Sequence, residues 1–409
     1  MDFVIEACSF LLRWLHVVAA IAWIGESFYF VMLDRGLKQP SAAATGVAGE
    51  MWSVHGGGFY HKQKYVLAPA HMPDDLHWSK WKSYSTWLSG FALFAMMYLL
   101  DPAIYLVDPR VAVLSPTLAT ALAIGFLVAG WLIYDALCKL VGLKDQLLGF
   151  LVGVMILLLC WSTTQLFAGR AAFLIVGAVL ATIMSANVFF VIIPGQKRMV
   201  AALARGETPN PVFGMRGKQR SVHNTYFTLP VVFAMLSNHY GVSYAHPHNW
   251  LVLALFMLAG ALIRQFFVLW HSGGRAWWLL AGGGVVLLGT LAWLAPMRPA
   301  VITPPAPVSS TADLGSGQWA AIPSTAEIAS ITQKHCSNCH AANPTLMASA
   351  PQGLMFDQLA QLEQHAARIH QQSVRLRIMP PGNITGMTDQ ERATLDRWYQ
   401  ALIKQPLAQ

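Results

Sequence analysis

Charge is scarce in this chain. Lys, Arg, Asp and Glu together make 11% of its 409 residues, against about 25% in a soluble domain. That shortage excludes an ordinary water-soluble fold for most of the length, and the 55% apolar content agrees. Acidic residues are scarcer than basic ones, which leaves a formal charge of +8. The whole excess belongs to residues 1–300; residues 301–409 carry equal numbers of each sign. A basic surplus confined to an apolar region is a topology signal and points to membrane lipid, with no nucleic-acid partner. Cysteine is rare too. Of five, Cys8, Cys138 and Cys160 stand alone in apolar stretches, so no second thiol pair exists to complete a zinc site with Cys336 and Cys339. Internal repeats and low-complexity tracts are missing. The first apolar stretch reads as a retained helix and not a cleaved signal, because it is long, contains Arg13 and Glu26, and lacks a small-residue cleavage site.

Long apolar runs are what the chain has instead. Eight segments, near 7–33, 84–106, 116–138, 147–168, 171–194, 223–240, 249–271 and 276–296, are long enough to cross a hydrocarbon core of roughly 30 Å. Their loops sort by charge. Arg35, Lys38, Lys62, Lys64, Lys80, Lys82, Lys139, Lys144, Lys197, Arg198, Arg205, Arg216, Lys218, Arg220 and Arg275 fall on one side; Arg110, Arg170 and Arg298 fall on the other. Positive loops stay in the cytoplasm, so both termini are expected outside.

Beyond the spans, residues 299–320 are rich in proline and small polar residues and form a semi-extended linker. Then comes Cys336-Ser337-Asn338-Cys339-His340, the attachment signature of a c-type haem: Cys336 and Cys339 bind the vinyl groups and His340 the iron. About 40 residues later Met379-Pro380-Pro381-Gly382-Asn383 holds a thioether on a stiff turn. Met379 is therefore the expected distal ligand, with Met387 as its competitor. His335, His365 and His370 read as solvated, and Met347 and Met355 as core fillers. Ser324-x-x-Glu327 and Thr388-x-x-Glu391 are capping boxes, and the helix after Thr388 puts Leu395, Trp398, Tyr399 and Leu402 on one face. The architecture expected is all-α: an eight-helix transmembrane bundle over 1–298, the linker, and a C-terminal periplasmic c-type cytochrome domain over 321–409. Such a chain sits in a bacterial inner membrane, because c-type haem is attached in the periplasm.

Ionisable groups at membrane depth are costly and are functional candidates by default. Helix direction sorts them into two layers. The inner one holds Glu26, Asp135, Asn187, His223, Asn224, Arg264, Gln265 and His271. It faces the loop 34–83, whose His55-Gly56-Gly57-Gly58 run offers either a tight turn or amides for an anion, and whose aromatics and histidines (His71 and His77 among them) argue for a folded segment. The second inner loop, 195–222, reads as a plain positive connector. Arg264, Gln265, Asn187 and Asn224 suit a planar, hydrogen-bonding anion. Glu26, His55, His61 and Lys64 are the candidate catalytic groups, a carboxylate or imidazole serving as base. The outer layer holds His16, Asn238 and His239, with His246 and His248 in the loop beside it; His16 and His239 are read as axial ligands of a buried haem b, as proton donors, or as interhelical hydrogen bonders.

Three blocks carry a resemblance: Leu12-Arg13-Trp14-Leu15-His16 through Gly25-Glu26-Ser27-Phe28-Tyr29-Phe30; Val54-His55-Gly56-Gly57-Gly58-Phe59-Tyr60-His61-Lys62-Gln63-Lys64-Tyr65; and Ser221-Val222-His223-Asn224-Thr225-Tyr226-Phe227-Thr228-Leu229-Pro230. With the haem signature and the Met379 turn, the chain resembles the bacterial membrane-bound, cytochrome c-linked urate oxidase (urate hydroxylase) family. The resemblance implies oxidation of urate to 5-hydroxyisourate with oxygen from water. It also implies that electrons leave through one covalent haem c to a soluble cytochrome c or other respiratory-chain acceptor, without peroxide. The competing reading is a membrane-anchored subunit that passes quinol electrons to haem c. It calls for histidine pairs at both membrane levels, and only His16 with His239 offers one.

Overall fold

The computed structural model describes residues 2–40, 46–69, 72–295, 323–347 and 350–404. The linker 299–320 and His71 lie outside them. The described chain is mostly helical. Helix α1 runs Asp2–Gly36, α2 Trp81–Phe94, α3 Pro102–Tyr105, α4 Pro116–Val141, α5 Asp145–Leu166, α6 Gly169–Ala186, α7 Ile193–Ala204, α8 Pro211–Leu236, α9 Gly241–Tyr244, α10 Asn249–Trp270 and α11 Trp277–Leu294. Wide π-type turns extend α2 over Ala95–Leu99 and join α6 to α7 over Asn187–Ile192.

Among the described residues, six helical stretches are long and apolar enough to cross a membrane: Ala7–Gly36, Pro116–Val141, Asp145–Leu166, Gly169–Ala204, Asn249–Trp270 and Trp277–Leu294. They make this a multi-pass membrane protein by length and composition. The other two segments singled out in the sequence are helical but more polar. The stretch at 84–106 breaks after Leu99 and restarts at Pro102. The stretch at 223–240 belongs to α8, which begins twelve residues earlier, at Pro211, capped by Asn210 Oδ1 accepting from the Val212 amide at 3.0 Å. The basic segment 195–222 is therefore largely helix and not a connector, since only residues 205–210 link α7 to α8.

Helix α6 forms the centre. Phe173, Ile175, Val176, Val179, Leu180 and Ile183 are fully buried, and the helix packs against α2, α4, α5 and α8. Helix α1 packs mainly on α2 and also meets α8 and α10, and α11 packs on α10. Lipid-facing residues of α1 such as Phe10, Trp14 and Ile21 are exposed, as a helix with one face to the bilayer requires.

The all-α expectation needs one amendment. Strands β1 (Val47–His55) and β2 (Gly58–Tyr65) form an antiparallel hairpin paired His55 to Gly58. Gly56 and Gly57 have φ of 57° and 81°, the two positive values of a type I′ turn that only glycine adopts freely. The glycines serve the turn. The hairpin covers the end of α1, where Lys62 Nζ lies 5.1 Å from the Tyr29 ring centre and Lys64 pairs with Asp34 at 2.6 Å.

The C-terminal part contains α12 (Thr325–His335), α13 (Leu359–Gln364), α14 (Ala366–Ile369) and α15 (Asp389–Lys404). Ile328, Ile331, Leu362, Ile369, Met387, Leu395 and Trp398 form its separate core, with Tyr399 and Leu402 packed on it. The Thr388 box is complete: the Glu391 amide donates to Thr388 Oγ1 at 3.2 Å and the Thr388 amide to Glu391 Oε2 at 2.7 Å.

Candidate functional site

Four places bear on chemistry. The first is the inner polar layer, which the structure divides in two. Arg220 and Asp135 form a buried ion pair at 2.6 Å, and Asp135 also holds Lys139. Arg220 Nη1 donates to Asn187 Oδ1 at 3.2 Å. Asn187 Nδ2 donates to Asn224 Oδ1 at 2.8 Å and to Tyr134 Oη at 3.2 Å, Asn224 Nδ2 donates to the Met184 carbonyl, and His223 Nδ1 lies 2.8 Å from Tyr134 Oη. Every polar side chain here has protein partners, so Asn187 and Asn224 bind the helices to each other. Splitting such a buried pair from one side costs about 3–5 kcal/mol. Arg220 was counted among loop cations in the sequence. The signal that would have found it is its place four residues before Asn224, on the same helical face.

Arg264 and Gln265 lie elsewhere, where α10 meets α1 and α8. Arg264 is 3% exposed, and its Nε and Nη2 have no hydrogen-bond partner among the described residues. Its guanidinium carbon lies 4.0 Å from the Phe28 ring centre. Tyr226 Oη donates to Gln265 Oε1. A buried cation with unused donors is expensive, and beside an aromatic face and an amide it matches a flat anion that brings its own acceptors.

The four candidate catalytic groups are not brought together. Glu26 accepts from Lys82 Nζ at 2.6 Å and from Ser79. His61 pairs with Glu50 at 2.9 Å and stacks on Trp52, while Lys64 is held by Asp34. His55 is exposed at the hairpin turn. Three of the four thus sit on the hairpin: His61 is spent in its internal pairing, Lys64 ties it to Asp34 of α1, and His55 stands at its tip.

Between α1, α2 and α6 lies a partly open cavity of about 150 Å³, lined by His16, Trp23, Trp87, Gly90, Phe91, Phe94, Met97, Tyr98, Met235 and Asn238, among others. His239 is exposed and lines no part of it, so the structure does not join His16 to His239. The short turn that carries His239 points Asn238 inward instead, where its Oδ1 accepts from Tyr98 Oη and Arg170 Nε, each at 3.3 Å.

Tyr98 leads outward to Tyr105, their ring centres 5.6 Å apart, and Tyr105 Oη reaches Met347 Sδ at 3.6 Å. The tail meets the bundle on this side. Arg110 Nη1 donates to the Arg377 carbonyl at 2.9 Å, and Ile378 packs on the bundle core. Gly382 has φ +56°, and a Cβ there would strike the Val107 carbonyl. Gly382→Ala is therefore expected to undock the tail, which faster hydrogen exchange of the segments around Arg110 and Arg377 than in the wild type would report.

The tail's own residues suit a covalent haem. His340 Nδ1 donates to the Leu354 carbonyl at 3.0 Å, which fixes the tautomer and leaves Nε2 for iron. Cys336 is buried and Cys339 half-buried. Met379 is half-buried, and the loop that carries it is clamped by Arg392, which donates to the carbonyls of Ser373 and Met379 and to Asn383 Oδ1. Burial and the neighbouring guanidinium groups of Arg110 and Arg377 lower the Arg392 pKa to about 10. Met387, the competing ligand, is 3% exposed in the tail core. His335 and His370 are not solvated: His335 bonds Thr385 and Glu391, and His370 bonds Asp396 at 2.8 Å and stacks on Tyr399. Met355 is exposed and fills no core, and Met347 lies against Tyr105.

The model of the urate oxidase N-terminal family matches residues 2–295. This chain belongs to that family. The match covers the whole described bundle, including Arg264, the hairpin and the His16 cavity, and ends before the tail. Membership of a urate oxidase family makes an oxidoreductase acting on urate the coarse reading of the bundle. Neither the curated proteins nor the solved structures compared with the chain give a match.

Proposed function

We propose that the bundle oxidises urate to 5-hydroxyisourate and that the electrons leave through a haem c held by the tail, to a soluble cytochrome c or another respiratory-chain acceptor. The docking of the tail carries the reading. The family-matched bundle and the tail that carries Cys336, Cys339 and His340 share the Tyr105–Met347 and Arg110–Arg377 contacts, which supports a direct route for electrons from the bundle to that tail. Cys336 and Cys339 would bind the porphyrin, with His340 and Met379 as iron ligands. Haem c so bound supplies a one-electron acceptor of raised potential.

Arg264 would neutralise the urate anion, with Phe28 against its ring and Gln265 and Tyr226 at its edge. Water supplies the oxygen; urate and that water together release two electrons and two protons. Glu26, already charge-paired with Lys82, is the carboxylate closest in sequence to Phe28 and would accept a proton. Helix α2 with its extension and α8 would complete eight spans. That count puts both termini on one side, the periplasmic face of a bacterial inner membrane by the loop charges.

The test is anaerobic mixing of urate with the purified ferric protein. The expected result is the reduced c-type α-band. A spectrum that stays ferric with urate, while dithionite reduces it, overturns the reading; reduction by quinol alone transfers it to an electron-transfer subunit.

A further inference from the structure

The hairpin carries a surface that the chain does not cover. Cross-strand partners share one face of a β-ribbon. Trp52 pairs with His61 and Val54 with Phe59, and Trp52, Val54 and Phe59 are 63%, 67% and 77% exposed. Val66 and Leu67, just past β2, are exposed as well. The opposite face is spent on α1: Lys62 lies over the Tyr29 ring, and a Cβ on Gly36 would strike the Met51 side chain. The chain leaving α1 is stitched to β1 too. The Lys38 amide donates to the Glu50 carbonyl at 3.0 Å and the Glu50 amide to the Lys38 carbonyl at 2.9 Å. The outer face is thus an apolar patch on a ribbon fastened to the end of a membrane helix, and patches of this kind are contact surfaces.

Its level in the molecule says what it touches. The stretch Ala7–Gly36 has 30 residues, about 45 Å of helix, which matches the hydrocarbon core plus both headgroup zones. The residues that hold the hairpin, from Tyr29 to Gly36, therefore lie among headgroups. Exposed apolar residues of α1 continue up to Tyr29 and Phe30, so lipid already lies beside the ribbon. At the adjoining start of α2, which Lys82 ties to Glu26, Trp81 is exposed and Lys80 Nζ lies 5.7 Å from its ring centre. An indole with a snorkelling cation is the pairing favoured at membrane interfaces. Lys62 is bonded to Ser53 and Lys80 lies over Trp81, so neither charge is matched by a carboxylate among the described residues, and Lys38 is exposed. Cations around an apolar patch at this depth fit acidic phospholipid.

We propose that the outer face of the hairpin is a lipid-binding surface. Trp52, Val54 and Phe59 seat in the headgroup zone of the leaflet that the loop charges make cytoplasmic, and Lys38, Lys62 and Lys80 take the phosphates of acidic lipids. The contact steadies the end of α1 next to Phe28, which lies against Arg264. It is independent of the proposed function, and no substrate is needed to detect it.

The test uses the full chain in bacterial membranes. Phe59→benzoylphenylalanine places a photoreactive group on the outer face, and mass spectrometry of the hairpin peptide identifies what it captures. The expected result is phospholipid adducts at least about tenfold above those of Glu207→benzoylphenylalanine, an exposed position between α7 and α8. Capture of a second copy or of another protein in place of lipid overturns the proposal, as does a lipid yield no higher than at Glu207. A second measurement needs no probe. Hydrogen exchange of residues 47–65 should be at least about threefold slower in phosphatidylglycerol nanodiscs than in phosphatidylcholine ones. Val54→Ser/Phe59→Ser leaves the Glu50–His61 and Asp34–Lys64 pairs in place and should erase that difference. Equal exchange of the wild type in the two lipids, or a difference that survives the double variant, also overturns the proposal.

Discussion

A double Cys336→Ala/Cys339→Ala enzyme is expected to lose steady-state urate oxidation by at least about a hundredfold, roughly 3 kcal/mol in barrier terms, while the bundle stays inserted. The two thiols are the only covalent anchors of the proposed acceptor, and without it no site in the tail takes electrons. The bundle core is built from other residues, with α6 at its centre, and the tail packs separately around Ile328, Leu362 and Leu395. The variant should therefore keep its helical circular dichroism and its membrane fraction. Substrate binding should survive as well. Equilibrium dialysis of urate under anaerobic conditions, compared with turnover of the same preparation, separates the two. Turnover at the native rate would remove the tail from the electron route.

Arg264→Met is expected to act in opposite directions on the empty and the loaded protein. In the empty protein a guanidinium that is 3% exposed leaves Nε and Nη2 without partners. Relieving that burden should leave thermal stability unchanged or raised, because an apolar side chain of similar length removes an uncompensated buried charge. In the loaded protein the same change removes charge-assisted hydrogen bonds worth about 1.5–3 kcal/mol. The KM for urate should rise by roughly ten- to a hundredfold, and the shift in melting temperature that urate gives the wild type should vanish. An arginine with a purely structural role predicts the reverse: a fall in stability and an unchanged KM. Melting curves with and without urate decide between them.

Much of this molecule is legible in order along the chain. Six of the eight apolar runs lie in long helices, because a helix is the economical way to satisfy backbone groups in lipid, whereas the run at 84–106 breaks after Leu99 and the helix over 223–240 begins at Pro211. The Cys-x-x-Cys-His spacing and the capping boxes are local, and Thr388 with Glu391 closes as its spacing demands. Other features were hidden for a physical reason. Whether a polar side chain is spent or spare depends on what stands opposite, and that partner is far away in sequence. Asn187 and Arg264 look alike as polar groups in apolar runs; one is saturated by Arg220, Tyr134 and Asn224, the other is left with open donors. His370 looks solvated beside its neighbours until Asp396 and Tyr399 come round to cover it. The glycine run after His55 allowed two readings, and the pairing of β1 with β2 decided for the turn.

By itself the sequence determined a helical membrane protein of the urate oxidase type with a Cys-x-x-Cys-His motif in its C-terminal part, since hydropathy, charge asymmetry and short-range spacing are properties of contiguous residues. The tertiary structure alone decided which polar groups remain unspent. It parted His16 from His239, moved Arg220 from a loop into a buried ion pair, and set the tail against Tyr105. Those outcomes turn on packing between helices separated by tens to hundreds of residues, and no local pattern encodes them.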